Sequence, residues 1–402
     1  MFFEILLALL IGILLGIFTG LAPGIHINLV ALFLVSISPS LLTHTPAISL
    51  VIFIVAMTIT HSFIDFIPSI YLGAPDEDNF LSVLPGHQML RKGSGYEATV
   101  LTLYGALSGL IIIAIFIPLF IFILPPIHNA ISSFLPFLLI FLSSYIIFRE
   151  EKFLLSLTIF LLAGFLGFTT LNLPINEPML PLLTGLFGAS TLIISLKDSP
   201  PKLPEQKISK LKEITLTKKE FIKTSISASI AAPICSFLPG IGSGHAAIIG
   251  SEISEQNQRQ FLFLVGSINT IVNALSIIAL YSLGRTRSGS AVAIKALINP
   301  LTTSNLLTII AVIFITSILS FIIGINLSKL LAKQLHKMNY KYLSIAVLII
   351  LLSLVLFFSS FLGLLVFITS ISLGIFSILS NSRRINLMGS LLIPTIVFYL
   401  TL

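Results

Sequence analysis

The chain has 402 residues, of which 56% are hydrophobic and only 9% charged, with a mean hydropathy of +1.10. A soluble domain carries roughly 25% charged residues to solvate its surface, so most of this surface must face something other than water. The single cysteine, Cys235, excludes a disulfide framework and a cysteine-cluster metal site, and the net charge of +7 fits the Lys and Arg excess of cytoplasmic loops better than a nucleic-acid footprint.

Apolar runs that read as spanning or embedded helices cover residues 2–18, 27–40 and 48–66. A polar-tolerant stretch, 67–98, follows, then plain apolar helices at 99–124, 131–148, 153–169 and 178–196. The N-terminal run lacks a basic n-region and reads as the first helix of the mature protein, not a cleaved signal. Residues 197–220 hold seven lysines, four acids and several prolines, a hydrophilic cytoplasmic loop. The second half repeats the layout: 221–237, 245–253, 261–283, a polar stretch 284–300, then 303–324, 342–358, 361–379 and 385–402. The expected fold is an all-α polytopic membrane protein with about 10–12 transmembrane or re-entrant helices. They form two repeats with broken helices, 1–196 and 221–402.

The halves share two signatures. Each opens on an apolar run ending in Pro-Gly-Ile (Pro23-Gly24-Ile25, Pro239-Gly240-Ile241), and each later runs a helix into Leu-Gly (Leu72-Gly73, Leu283-Gly284). If the Lys-rich loop is cytoplasmic, the Arg91-Lys92 segment, the Arg149–Lys152 turn, Arg383-Arg384, and the lysines at 329, 333, 337 and 341 also fall inside. The two polar stretches then face opposite ways, which is an inverted-topology repeat.

Three constellations can carry chemistry. The first is the pair Gly20-Leu-Ala-Pro23-Gly24-Ile25-His26-Ile27-Asn28 and Pro239-Gly240-Ile241-Gly242-Ser243-Gly244-His245. Pro and Gly break a helix, and in a bilayer the freed backbone is tolerated only in protein or around a wet cavity. A helix restarting there aims its amides and dipole at the opening, which suits an anion. One such break is explained by a packing kink; two at matched positions point to a substrate site. The second is His61 and Asp65, four apart on one helix face, an ionisable pair suited to proton relay or cation binding, or else a mutually satisfied pair near a helix end. The matching positions of the second half hold Asn269 and Asn273, which bind cations or solute but do not exchange protons near neutral pH. The third is Arg285 and Arg287, which either take an anion through charge-assisted hydrogen bonds or form an exposed basic loop. No Walker A, H-E-x-x-H or nucleophile-elbow pattern occurs, so neither an ATP-driven pump nor an enzyme is expected, and no catalytic residue, metal site or cofactor.

The paired Pro-Gly segments, Gly73-Ala74-Pro75, and the run Pro85-Gly86-His87-Gln88-Met89-Leu90-Arg91-Lys92-Gly93 resemble the TctA family, the large permease subunit of tripartite tricarboxylate transporters. Asn269, Asn273 and Leu283-Gly284 look like the counterpart in that family's second half. Asp76, Pro85 and His87 depart from its pattern, and Arg285-Thr286-Arg287 stands where it has Ile-Pro-Gly. The resemblance implies a plasma-membrane, multi-pass secondary transporter of a di- or tricarboxylate, with a small membrane subunit and an extracytoplasmic binding protein as partners. Substrate is then expected at Pro23, Gly24, His26, Asn28, Pro239, Gly240, Gly242, Ser243, Gly244, His245, Arg285 and Arg287. Coupling to H+ or Na+ is expected at His61, Asp65, Asn269 and Asn273. A homo-oligomer surrounded by membrane lipids fits the same picture. The alternative is a polyprenyl-phosphate translocase, because the Pro-Gly-x-x-Ser-Gly turn also resembles that of a bacterial family linked to lipid-phosphate transfer and the arginines suit a phosphate.

Overall fold

The computed structural model describes residues 2–401 except 23–26, 74–78, 132–133, 149, 199–202, 237–241, 287 and 336–338. Among the described residues every regular element is helical. The first half runs α1 (Phe2–Leu21), α2 (Ile27–Leu41), α3 (Ala47–Ile64), α4 (Phe66–Leu72), α5 (Val83–Arg91), α6 (Gly95–Ile131), α7 (Leu135–Phe148), α8 (Phe153–Asn172), α9 (Met179–Leu183) and α10 (Ser190–Asp198). The second runs α11 (Lys218–Ser236), α12 (Ser243–Ile253), α13 (Gln258–Leu283), α14 (Gly289–Leu297), α15 (Thr303–Leu335), α16 (Tyr340–Leu379) and α17 (Gly389–Thr401). Both stretches expected to be merely polar thus contain short helices, α4–α5 and α14. α6 and α15 outrun their expected ends, α6 through Pro118, Pro125 and Pro126.

Among the described residues eight helical runs are long and apolar enough to cross a membrane, including Ala47–Leu72, Gly95–Phe122, Gln258–Leu283 and Thr303–Leu335. The outer helices carry exposed aromatic side chains, with Phe122 and Phe357 77% and 81% accessible. Apolar surface on that scale needs lipid around it. α16 is interrupted at Ser360 (φ 59, ψ −165), so its 40 residues form two arms matching the two separate runs expected there.

The halves interlock. α3 packs on α15 and α13 on α6, so each central helix leans on the long helix of the opposite half. α8 packs on α17, while α16 packs on α10 and on a π-helical turn, Thr184–Ala189, between α9 and α10. Without a hydrophobic drive between helices in lipid, close backbone approach over small residues does this work. A methyl group at Gly105 would strike the Phe263 carbonyl, and one at Gly266 the Thr102 carbonyl, so α6 and α13 meet backbone to backbone.

Which ends share a side follows from side-chain ties. The central loop binds the start of α6, where Gln206 Oε1 accepts from the Gly95 amide at 2.8 Å and the Lys207 amide donates to the Gly93 carbonyl at 2.8 Å. It also binds the start of α13, where Arg259 donates to the Thr215 carbonyl at 3.1 Å and pairs with Glu97 at 2.7 Å. Arg383 pairs with Glu150 at 2.5 Å, and residues 382–385 share one cavity with residues 255–258, so this turn lies at the same end. Tyr71, beside Gly95, donates to the Ser328 carbonyl at 3.2 Å and brings Lys329 there too. The basic turns therefore gather on one side, the side that the positive-inside rule assigns to the cytoplasm. Gly73 abuts His87 of α5 near that side. α13 starts there and rises through 26 residues, about 39 Å, before Gly284. The two Leu-Gly turns consequently sit at opposite ends, as an inverted arrangement requires.

Candidate transport site

Gly242 is extended (ψ −177) and α12 begins at Ser243. The Gly242 amide donates to His245 Nδ1 at 3.2 Å, so a neutral imidazole carries its proton on Nε2. The amides of His245 and Ala246 turn to the Gly242 carbonyl, at 3.1 and 3.4 Å. Those of Ser243 and Gly244 are the ones whose acceptors must come from outside the helix. Ser243 and His245 are both buried, 1% and 4% accessible. The Ser243 and Gly244 amides, a hydroxyl and an imidazole thus gather at the positive end of an 11-residue helix, a combination whose chemistry suits an oxyanion.

The first half meets this turn through two adjacent residues. The Phe80 ring lies against Gly244, where an added methyl group would come within 2.6 Å of the ring edge. Asn79 faces the other way, and its Oδ1 accepts from Ser69 Oγ at 2.6 Å. Ser69 is one turn beyond Asp65, its amide pointing to the Asp65 carbonyl at 3.3 Å. Peptide 79–80 thus links the α12 start to the junction of α3 and α4.

At that junction His61 and Asp65 are both buried. His61 Nδ1 lies 3.1 Å from Thr19 Oγ1 of α1. The approach is set by glycines: a methyl at Gly16 would lie 2.6 Å from Thr60 Cβ, so α1 settles onto α3. Pro68 has no amide to give the Ile64 carbonyl, which loosens the helix beside Asp65. From the second half, Asn269 Nδ2 donates to the Ser62 carbonyl at 3.3 Å, and Asn273 Nδ2 to Asn269 Oδ1 at 3.1 Å. The matched ionisable and amide pairs are therefore neighbours.

Gly242, Ser243, Gly244 and His245 stand on one side of peptide 79–80, and His61, Asp65, Asn269 and Asn273 beyond its other side. Pro23, Gly24, His26, Pro239, Gly240 and Arg287 lie outside the described residues, as does the Asn28 side chain. Arg285 is exposed past the end of α13, about 21 Å of helix rise beyond Asn269. The serines near it cap α14, where Ser288 Oγ accepts from the Ala291 amide at 3.2 Å, and Lys295 donates to the Gly284 carbonyl at 2.7 Å. Sequence reasoning missed Thr19, Ser69, Asn79 and Phe80, none of which carries a charge or breaks a helix. It also missed the second role of Arg384, which donates to the Leu186 and Phe187 carbonyls at 2.7 and 2.9 Å and holds the π-turn. No group of His, Cys, Asp and Glu able to hold a metal occurs among the described residues.

Comparison with known proteins matches the Tripartite tricarboxylate transporter TctA family over residues 6–389. An uncharacterised protein of Methanocaldococcus jannaschii, MJ1079, is 35% identical over 391 residues, 94% of each chain. No solved structure matches. With the family match covering nearly its whole length, the chain belongs to the TctA family of membrane transporter proteins.

Proposed function

We propose that this chain is the permease of an ion-driven secondary transporter for a di- or tricarboxylate, built as two inverted repeats, 1–196 and 221–402, that alternate access around one site. The observation that carries this is the α12 start: outward amides, Ser243 and His245 in a buried turn that touches the opposite half at Phe80. A carboxylate docked there takes hydrogen bonds from the Ser243 and Gly244 amides, the Ser243 hydroxyl and His245 Nε2–H. The His61–Asp65 turn, one short peptide away, is where H+ or Na+ binds and couples. The family match supports the carboxylate and supports two partners, a small membrane subunit and an extracytoplasmic binding protein. Nothing in it favours a lipid phosphate.

The test is uptake of labelled citrate and succinate into liposomes holding the chain, alone and with those partners, under an imposed Na+ or proton gradient. Accumulation that collapses with the gradient is the expected result. No uptake of any carboxylate under either gradient, with partners present, sinks the reading.

A further inference from the structure

A cavity of about 780 Å³ opens at the basic end of the molecule. One face of α12 leads into it. Gly244, Ile248 and Ser251 are spaced four and three apart, so they share that face and rise about 10 Å along the helix. Ile248 and Ser251 line the cavity; Gly244, at the candidate site, does not. Between them stands Phe80, which lines the cavity and is itself 2% accessible. Its ring covers Gly244 and packs tilted against Phe187, with centroids 4.4 Å apart and the planes at 44°. The Arg384 guanidinium lies 5.3 Å from the Phe187 centroid, and both Arg383 and Arg384 line the cavity. Glu252 and Glu255 stand on the α12 side.

We propose that this cavity is the inner vestibule through which the carboxylate passes between the cytoplasm and the α12 turn, and that Phe80 is the partition between the two. The solute named rests on the function proposed above; the partition does not. Phe80 and Phe187 sit on the segment before α5 and on the π-turn, and Gly244 on α12, so a local displacement of α12 against them slides the ring off the helix. Only glycine at 244 lets the ring seat, since a methyl there invades it. Arg384 fixes the carbonyls of the π-turn that carries Phe187, so the partition has a firm back. A carboxylate entering from the basic side meets the exposed Arg383 first and the helix amides second.

The experiment is thiol labelling of the full chain in inside-out membrane vesicles, with Cys235→Ser removing the native thiol. A membrane-impermeant maleimide is added from the cytoplasmic side to Ser243→Cys or Ser251→Cys, each with Phe80 or with Phe80→Ala. Ser251→Cys is expected to react readily and equally in both. Ser243→Cys is expected to react slowly with Phe80 and on the order of tenfold faster with Phe80→Ala, a barrier change of about 1.4 kcal/mol. If Phe80→Ala fails to reach the membrane, Phe80→Leu, which keeps an apolar side chain but not the ring, replaces it with the same expected ordering. Equal labelling of Ser243→Cys in both backgrounds overturns the partition. An unreactive Ser251→Cys overturns the vestibule, and a parallel rise at Ser251→Cys means general loosening and also counts against the proposal. Labelling needs no substrate, so failed carboxylate uptake with the expected labelling sinks the transport reading alone.

Discussion

Gly73 and Gly284 occupy matched places, each the left-handed residue (φ 66 and 63) that stops a helix after a leucine. Their surroundings differ completely. Gly73 is hemmed in: a methyl group added there would lie 2.9 Å from His87 Nε2 and 3.1 Å from Leu192, whereas Gly284 has nothing within 4 Å. One turn is packed into the protein on the basic side; the other ends a helix in the open at the opposite end. The chemistry upstream differs in the same sense. The first half has an ionisable pair, His61 and Asp65, where the second has the amides Asn269 and Asn273. A repeat can thus keep its backbone while only one copy keeps a titratable centre, and coupling is expected to live in that copy.

The largest effect expected is at Asp65. Asp65→Asn keeps the shape and removes the charge, so gradient-driven uptake should fall by about 100-fold or more, on the scale of losing a buried charged partner. The matched change Asn273→Ala should cost uptake only several-fold, about 1 kcal/mol. Similar losses at both would erase the asymmetry. Next are the glycines: Gly284→Ala costs only the left-handed backbone, about 1 kcal/mol, while Gly73→Ala adds overpacking of about 1–3 kcal/mol. Thermal unfolding in detergent should rank them so, and equal shifts would show that the packing difference is without energetic weight.

His87 sharpens the same contrast through pH. It lies in α5, outside the spans, donates from Nδ1 to the Ile70 carbonyl at 2.7 Å, and burial pushes its pKa down to about 4. Its folded-state value lies below the ordinary 6.5, so the unfolded chain takes up the proton first as pH falls. Stability should decline between pH 6.5 and about 4, by at most about 3 kcal/mol, and His87→Gln should flatten that slope. The smallest effect is at Arg285. Exposed beyond α13, it should alter apparent KM only about two- to threefold on change to Gln, in a salt-dependent way. A larger, salt-independent loss would move the anion site toward the far side.

The helical class was legible from the apolar runs, and the ends of both helices at Leu-Gly were legible because that closure has a local cause: glycine alone accepts the left-handed backbone cheaply. The basic side was legible for the same reason, since Arg91, Glu150 and Arg383 announce themselves by charge. The link between the two chemical centres was not. Asn79 and Phe80 matter because Ser69 lies on one side and Gly244 on the other, and no window of sequence spans that separation. The π-turn escaped too, because its two glycines in an apolar run look like any small-residue packing face until Arg384, almost two hundred residues later, supplies the missing donors.

The interlocking of the halves also bears on how the protein is made. α3 waits for α15, α6 for α13 and α8 for α17, so the first half leaves the ribosome with α1 already against its polar centre through Thr19 but with the second-half side still open. His61 and Asp65 must reside in the bilayer or the insertion machinery until more than two hundred further residues have been synthesised. Assembly can start from the N-terminus with α1 on α3, but the centre is closed only when Asn269 of α13 reaches the Ser62 carbonyl.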